Sequence, residues 1–250
     1  MTKERLDIAL VRRKLTSSRS QSESWIKMGK VTVDGRVILK PGYFAALNSE
    51  IKLMADNQYV SRAGLKLESV AKILGLEFKD KVVLDIGSST GGFTDYSLRN
   101  GARKVYAVDV GTDQLHPSLR GDKRIELHEK TDIRNFYINE MPDIIVIDVS
   151  FISLREILPH VYGHLSDTNT QIVAMVKPQF EAGKGQTNKG IIKNDSIRRQ
   201  ILKDFEDWSR DYFIIKNKRD SDVAGAKGNQ ERFYLLTLKR NSTISLGCMI

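Results

Sequence analysis

The sequence predicts an α/β chain in which a small α+β unit precedes a larger domain built on an open, mostly parallel sheet. Three observations carry this. Five short segments that read as strands, Val82 to Gly87, Lys104 to Val110, Arg124 to Glu129, Ile144 to Ser150 and Thr170 to Pro178, are each separated by a segment long enough for a crossover helix. The first run passes into an acid and a Gly/Ser/Thr-rich turn, DIGSSTGG from Asp85 to Gly92, as a buried strand does when it ends in a tight loop that opens a helix. Residues 1–57 differ from the rest in charge and in pattern.

In order along the chain, Leu6, Ala9, Leu10 and Leu15 fit a short helix, Thr16-Ser17-Ser18 can cap a second, and Ser20 to Met28 carries Trp25 and Ile26 before Gly29 stops it. Lys30 to Ile38 alternates around Asp34-Gly35, a strong short hairpin signal. A linker, 58–60, leads into the main domain, 61–240. There Ser61 is a candidate N-cap, and Leu65, Val70, Ile73, Leu74 and Leu76 give the stretch from Ser61 to Phe78 a helical period. Beyond the five strands, Glu181 to Gly190 reads as a mobile or functional loop, and Asp195 to Tyr212 as a helix with Ile197, Ile201, Leu202, Phe205 and Trp208 on one face. Phe213 to Ile215 and Arg232 to Leu238 are expected as an antiparallel pair at one edge of the sheet. The tail, 241–250, has no pattern and is expected to fray.

Composition narrows the function classes. Of 250 residues 40% are hydrophobic, enough for a core, and 40 Lys and Arg against 31 Asp and Glu leave a net charge of +9, which favours a polyanionic partner. Through Asp56 there are eleven bases and six acids, so the excess is concentrated at the amino end. Cys248 is the single cysteine, so intrachain disulfides and zinc–cysteine frameworks are excluded and a reducing compartment is expected. His160 and His164, four apart, lack a nearby acid or cysteine and are expected to face solvent, with no metal bound. No run approaches the ~18 apolar residues of a membrane span, and the start MTKERLD has no apolar h-region; the expectation is a cytoplasmic protein without a membrane partner.

The glycine loop indicates its ligand by spacing. A dinucleotide site shows G-x-G-x-x-G, whereas Asp85 to Gly92 reads D-x-G-x-x-x-G-G, with the acid first. A second acid, Asp109, lies 24 positions after Asp85 at the end of the next strand, where a carboxylate can accept both ribose hydroxyls. Asp85 is then free to face a cation. An adenosine ligand with a cationic amino-acid tail and no phosphate satisfies both, and that ligand is S-adenosyl-L-methionine. The expected binding residues are Asp85, Gly87, Ser88, Ser89, Thr90, Gly91, Gly92, Phe93 and Asp109. Asp132 is either a contact to the adenine amino group or a plain N-cap.

Asp148 and Lys177 each end an apolar strand (IIVID, IVAMVK) beside this loop, on the sheet edge where such folds place ligands. Taken alone, Lys66 reads as a surface helix lysine and Glu231 as a strand-edge charge. Two resemblances add to this. The order helix, Ser-x-Arg, helix, Val-x-Val-Asp-Gly, carried by Arg5-Leu6-Asp7, Ser18-Arg19-Ser20, Ile26, Gly29 and Val31 to Gly35, resembles the S4 RNA-binding domain. Together with SRAGLKL (Ser61 to Leu67), the DIGSSTGGFTD loop, IDVSFISL (Ile147 to Leu154), MVKPQFE (Met175 to Glu181) and KGNQERFYLL (Lys227 to Leu236), the chain resembles the TlyA, or hemolysin A, family from about residue 3 to 240.

The resemblance implies a Rossmann-like class I methyltransferase domain of the FtsJ type behind an S4-like domain, acting on ribose 2′-hydroxyls of cytidines in ribosomal RNA. It implies the catalytic set Lys66, Asp148, Lys177 and Glu231. The basic residues expected to meet RNA are Arg5, Arg12, Arg13, Lys14, Arg19, Lys27, Lys30 and Arg62, with ribosomal subunits as partners and the oligomeric state open. In that chemistry a lysine at its ordinary pKa of about 10.4 is protonated and useless as a base. A second cation nearby and partial burial favour the neutral amine, so Lys66 acts neutral while Lys177 stays charged and orients the hydroxyl.

Two other readings compete. A membrane-active hemolysin needs a signal segment or a basic amphipathic helix with a wide apolar face, and neither is evident. An RNA-binding module with an inert transferase half would lack the charged set, and all four residues are present.

Overall fold

The computed structural model describes residues 3–16, 19–27, 29–54, 59–183, 185–187, 190–192, 194–223, 225 and 228–239. The expectations for Ser17, Ser18, Met28, Asn57, Lys227 and the tail with Cys248 lie outside the described residues.

The amino-terminal unit contains α1 (Leu6–Arg12) and α2 (Arg19–Lys27), then β2 (Val31–Val33) and β3 (Arg36–Val37). Asp34 and Gly35 between these strands have φ of 50° and 77°, the two left-handed residues that a tight hairpin turn requires. The helix expected through Leu15 stops at Arg12, and Lys14 turns the chain at φ 58°. Three strands had no sequence signal: β1 (Lys3–Arg5) pairs antiparallel with β4 (Phe44–Ala46), and β5 (Ile51–Leu53) pairs with β2. Each is too short to show a period of two, and their partners lie far along the chain.

Helix α3 (Arg62–Leu74) begins where expected, with the Ser61 hydroxyl accepting the Ala63 N–H at 3.3 Å. It ends earlier than its apolar period, because Gly75 takes the left-handed conformation at φ 69° and closes the helix. Then come β6 (Val82–Ile86), α4 (Gly92–Arg99), β7 (Lys104–Val108), β8 (Ile125–His128), β9 (Ile144–Ile147), α5 (Leu154–His160), β10 (Gln171–Val176), α6 (Pro178–Glu181), α7 (Asp195–Ser209), β11 (Phe213–Asp220) and β12 (Arg232–Leu238).

A seven-stranded sheet runs β11-β12-β10-β9-β6-β7-β8. Strands β6 to β10 are parallel; β12 is antiparallel to β10, and β11 to β12. The expected edge pair is therefore present, but β11 runs on to Asp220 through a bulge between Ile215 and Asn217. Its charged stretch, KNKRD, gave no strand signal because only one face of an edge strand needs to be apolar. The apolar runs of β6 and β9 are buried along their whole length, as expected of strands covered on both faces. Strand order reverses between β6 and β9, so a crevice opens at their carboxyl ends. Buried residues on one face form a cluster with Leu6, Leu10, Trp25 and Ile26 of the amino-terminal unit; the other face packs under α5 and α7.

Candidate active site

At the carboxyl end of β6, Asp85 is fully buried. The Thr94 hydroxyl, one turn into α4, donates to Asp85 Oδ2 at 2.6 Å, while Oδ1 is buried with no hydrogen-bond partner among the described residues. Burial pushes the carboxyl up to about 7; the charges of Asp148 and Asp109 add to this and the Thr94 hydrogen bond opposes it. Gly87 follows at φ 80°, and a Cβ there would stand 2.7 Å from the Asp148 carbonyl oxygen, so β6 and β9 meet at a point only glycine allows. Asp109 is tied to the same loop, accepting the Ser89 N–H at 2.8 Å and the Gly111 N–H at 2.7 Å. A cavity of about 150 Å³ lies here, lined by Asp85, Gly87, Ser88, Ser89, Thr90 and Phe93 from the loop and by Ser61, Asp148 and Lys177 from outside it. Ser88 Oγ is a second buried polar atom without a partner among the described residues. An unpaired, buried carboxylate oxygen beside a loop opened by Gly87, Gly91 and Gly92 suits an adenosine ligand bearing a cationic tail.

Four charged side chains form two ion pairs. Lys177 Nζ lies 2.6 Å from Asp148 Oδ1 and donates to Ser150 Oγ at 2.8 Å. Lys66 Nζ lies 2.5 Å from Glu231 Oε2. Lys66 is 7% exposed and Glu231 2%, which corrects the expectation that each, taken alone, is a surface charge; Gly64 to Leu67 are buried in succession, so the helix is enclosed on most sides there and Lys66 is buried with its neighbours. Gly225 lies against the Glu231 carboxylate, and a Cβ there would overlap Oε1. Phe151, at φ 66° and 92% exposed, packs at a tilt of 50° on Phe180 with ring centroids 5.2 Å apart. Phe180 in turn lies 6.0 Å from Lys177 Nζ. Thr94, Ser150 and Phe151 carry no signal of a site role in the sequence by themselves, although Thr94 follows the glycine loop by two positions and the other two follow Asp148 by two and three.

Asp132 caps the short turn Ile133–Asn135, accepting the Arg134 N–H at 3.0 Å, and Arg134 holds its carboxyl well below the ordinary range. The N-cap alternative is met. Of the eight basic residues expected to meet RNA, four have internal partners. Arg5 and Arg19 both grip the buried carboxylate of Asp7, Arg12 pairs with Glu4, and Arg13 donates to the carbonyls of Leu47 and Ser49. Burial pushes Asp7 up, but the two arginines outweigh it and hold it below the usual carboxylate range. Lys14, Lys27 and Arg62 form no ion pair among the described residues, and Lys30 stands close enough to Glu68 to lower that carboxyl's otherwise raised pKa. The expectation that both histidines face solvent holds for His164 only. His160 is half-buried and bonded through Nε2 to the Phe136 carbonyl at 2.8 Å. No helix among the described residues is long and apolar enough to cross a membrane.

This fold and this arrangement define an FtsJ-like methyltransferase joined to an S4 domain: the FtsJ-like methyltransferase family matches residues 59–239 and the S4 domain matches residues 4–51. The chain is 42% identical to the 23S rRNA (cytidine-2′-O)-methyltransferase TlyA of Campylobacter jejuni, over 79% of this chain and 76% of that one. It is 36% identical to the 16S/23S rRNA (cytidine-2′-O)-methyltransferase TlyA of Mycobacterium tuberculosis, over 96% and 92%. A solved structure named as a hemolysin from Streptococcus thermophilus superposes with a TM-score of 0.70 at 40% identity, covering 95% of this chain and 89% of that one. The chain belongs to the TlyA family.

Proposed function

We propose that this protein transfers a methyl group from S-adenosyl-L-methionine to the ribose 2′-hydroxyl of cytidine in ribosomal RNA, acting on ribosomal subunits in the cytoplasm. The observation that carries the reading is the pairing of two buried lysines with two carboxylates, one pair lining the cavity of the glycine loop and its unpartnered Asp85 oxygen. In this reading Asp85 receives the ammonium of the cofactor, Asp109 its ribose hydroxyls and Asp132 its adenine amino group, and the cofactor supplies an electrophilic methyl.

The protein's own part is to hold and deprotonate the nucleophile. Lys66, acting as the neutral amine after losing its own proton to solvent, takes the proton of the 2′-hydroxyl onto Nζ, with Glu231 fixing the amine in place; Lys177, held by Asp148 and Ser150, orients the same oxygen as an ammonium. Phe151 and Phe180 give the nucleobase an aromatic surface beside the amine, since a base turned out of an RNA stack needs a ring to replace its former neighbours. The amino-terminal lysines supply phosphate contacts. The test is to map 2′-O-methyl groups on ribosomal RNA from cells with and without the protein. Loss of methylation at cytidines, restored by the wild type and withheld by Lys177→Ala, is the expected result; an unchanged map removes the proposal.

A further inference from the structure

Glu181 closes α6, four residues beyond Lys177, yet its carboxylate is spent on another element. Oε2 accepts the Ser153 hydroxyl at 2.6 Å, Oε1 accepts the Leu154 N–H at 2.7 Å, and Arg155 Nε stands 3.8 Å from Oε2. Its side chain is 1% exposed. Burial pushes the carboxyl up, and the bonds from Ser153 and Leu154 oppose the shift. A carboxylate is costly to bury, so this contact is made against a real desolvation penalty.

The segment it grips joins Asp148 to α5. That segment contains Phe151 in the left-handed region, which an L residue with a large side chain adopts only when its surroundings hold it there. The two loops meet at three places in succession. Lys177 meets Asp148 and Ser150, Phe180 meets Phe151, and Glu181 meets Ser153 and Leu154. The first contact is the one assigned to chemistry, and the last is the most deeply buried.

We infer that Glu181 is a positioning residue that latches the loop after β9 to the loop after β10, and so sets the geometry in which Asp148 and Lys177 present themselves to the RNA hydroxyl. The inference rests on the roles given to Asp148 and Lys177 above. Glu181 itself touches neither cofactor nor nucleotide. Without the latch, the Leu154 N–H is left buried and unpaired, and the segment from Val149 to Ser153 loses one of its three contacts with the loop after β10.

The experiment compares Glu181→Ala, Glu181→Gln and Glu181→Asp with wild type for methyl transfer to purified ribosomal subunits, cofactor affinity by calorimetry, and thermal unfolding. Glu181→Ala is expected to lose about 10²-fold in kcat, the effect of displacing a reacting group by roughly 1 Å, while the affinity for S-adenosyl-L-methionine changes by less than about twofold. Glu181→Gln keeps an acceptor for Leu154 and replaces the bond from Ser153 by one donated from its amide to Ser153 Oγ, and is expected to restore most of the rate; Glu181→Asp keeps the charge but falls short by a methylene, and is expected to stay slow. A Glu181→Ala or Glu181→Asp enzyme with wild-type kcat overturns the inference. So does a Glu181→Gln enzyme as slow as a folded Glu181→Ala, or a loss of rate that only follows a loss of folded protein. Lys177→Ala is measured alongside: if it still transfers methyl groups, the reading of the site fails and the latch with it, whereas an inactive Lys177→Ala beside a fully active Glu181→Ala sinks the latch alone.

Discussion

Lys66 and Lys177 carry the same amine, and their partners distinguish them. Lys66 faces a single carboxylate on β12's approach, and Lys177 is held by a carboxylate and a hydroxyl together. The difference predicts different tolerance of arginine. Lys66→Ala and Lys177→Ala each cost ~10²–10⁴ in methyl transfer. Lys66→Arg stays inactive, because a guanidinium does not release its proton at accessible pH, whereas Lys177→Arg keeps part of the rate if a fixed charge is all that position supplies. Single-turnover transfer to ribosomal subunits measures both, and a Lys66→Arg enzyme at wild-type rate removes Lys66 from the role of base. With Asp109 proposed to accept the cofactor's ribose hydroxyls, calorimetry of Asp109→Ala with RNA present is expected to show a loss of about 1.5–3 kcal/mol in S-adenosyl-L-methionine binding.

Asp85 gives a prediction with a defined sign. Its carboxyl is raised to about 7 by burial, so the folded protein retains a proton that the unfolded chain loses near pH 4. Below pH 4 both states hold the proton and the group is neutral in its effect. Between about 4 and about 7 the cost to the folded state grows, and above 7 it stays constant. Asp85→Asn should therefore raise the thermal midpoint of the cofactor-free protein, with a gain that appears above pH 4 and levels off above 7. The same substitution should weaken S-adenosyl-L-methionine most at high pH, where the wild type offers a carboxylate to the ammonium. Unfolding curves across this range that stay parallel for the two proteins would contradict the account.

Among the elements, α3 does two jobs. Its cap at Ser61 and its stop at Gly75 fix its length, and its packing buries Lys66 against Glu231. Nothing lies within 4 Å of a Cβ built at Gly75, so Gly75→Ala tests backbone conformation alone; the expected cost is about 1 kcal/mol in denaturant unfolding, with methyl transfer unchanged. Gly64, within the same helix, is the opposite case: a Cβ there would stand 2.6 Å from Tyr59 Cβ and 3.0 Å from the Gly92 carbonyl. Gly64→Ala is expected to lower both stability and cofactor affinity, since α4 and its glycine loop must shift to admit it.

At the scale of the whole molecule, the basic residues of the amino-terminal unit include Arg5, Arg12, Arg13 and Arg19, tied to internal partners, and Lys14 and Lys27, which face outward. Arg5→Ala and Arg19→Ala are expected to destabilise the fold, because Asp7 is fully buried and is deprived of a partner in each case. Lys14→Ala and Lys27→Ala are expected to leave stability alone and weaken RNA binding, lowering the slope of log affinity against log salt by roughly 0.7–0.9 for each phosphate no longer neutralised. Binding titrations at several salt concentrations decide this; an unchanged slope in the double variant would place the RNA surface elsewhere.

The sequence by itself determined the elements whose reasons are local. Buried parallel strands announce themselves as apolar runs, the Asp34-Gly35 turn by its left-handed residues, α3 by its serine cap, and the glycine loop with Asp85 and Asp109 by spacing along adjacent strands. The same locality made Asp148 and Lys177 legible, since each terminates a strand at the ligand-binding edge. Residue patterns alone do not reveal Lys66 and Glu231, one on a helix before the sheet and the other at the start of its last strand, because their burial and pairing come from contacts across most of the chain. The short strands β1, β4 and β5, the bulged extension of β11 and the grip of Glu181 on Ser153 and Leu154 were decided by tertiary structure alone. Their hydrogen bonds join residues far apart in sequence, and no periodicity or capping rule records a partner that arrives from another part of the fold.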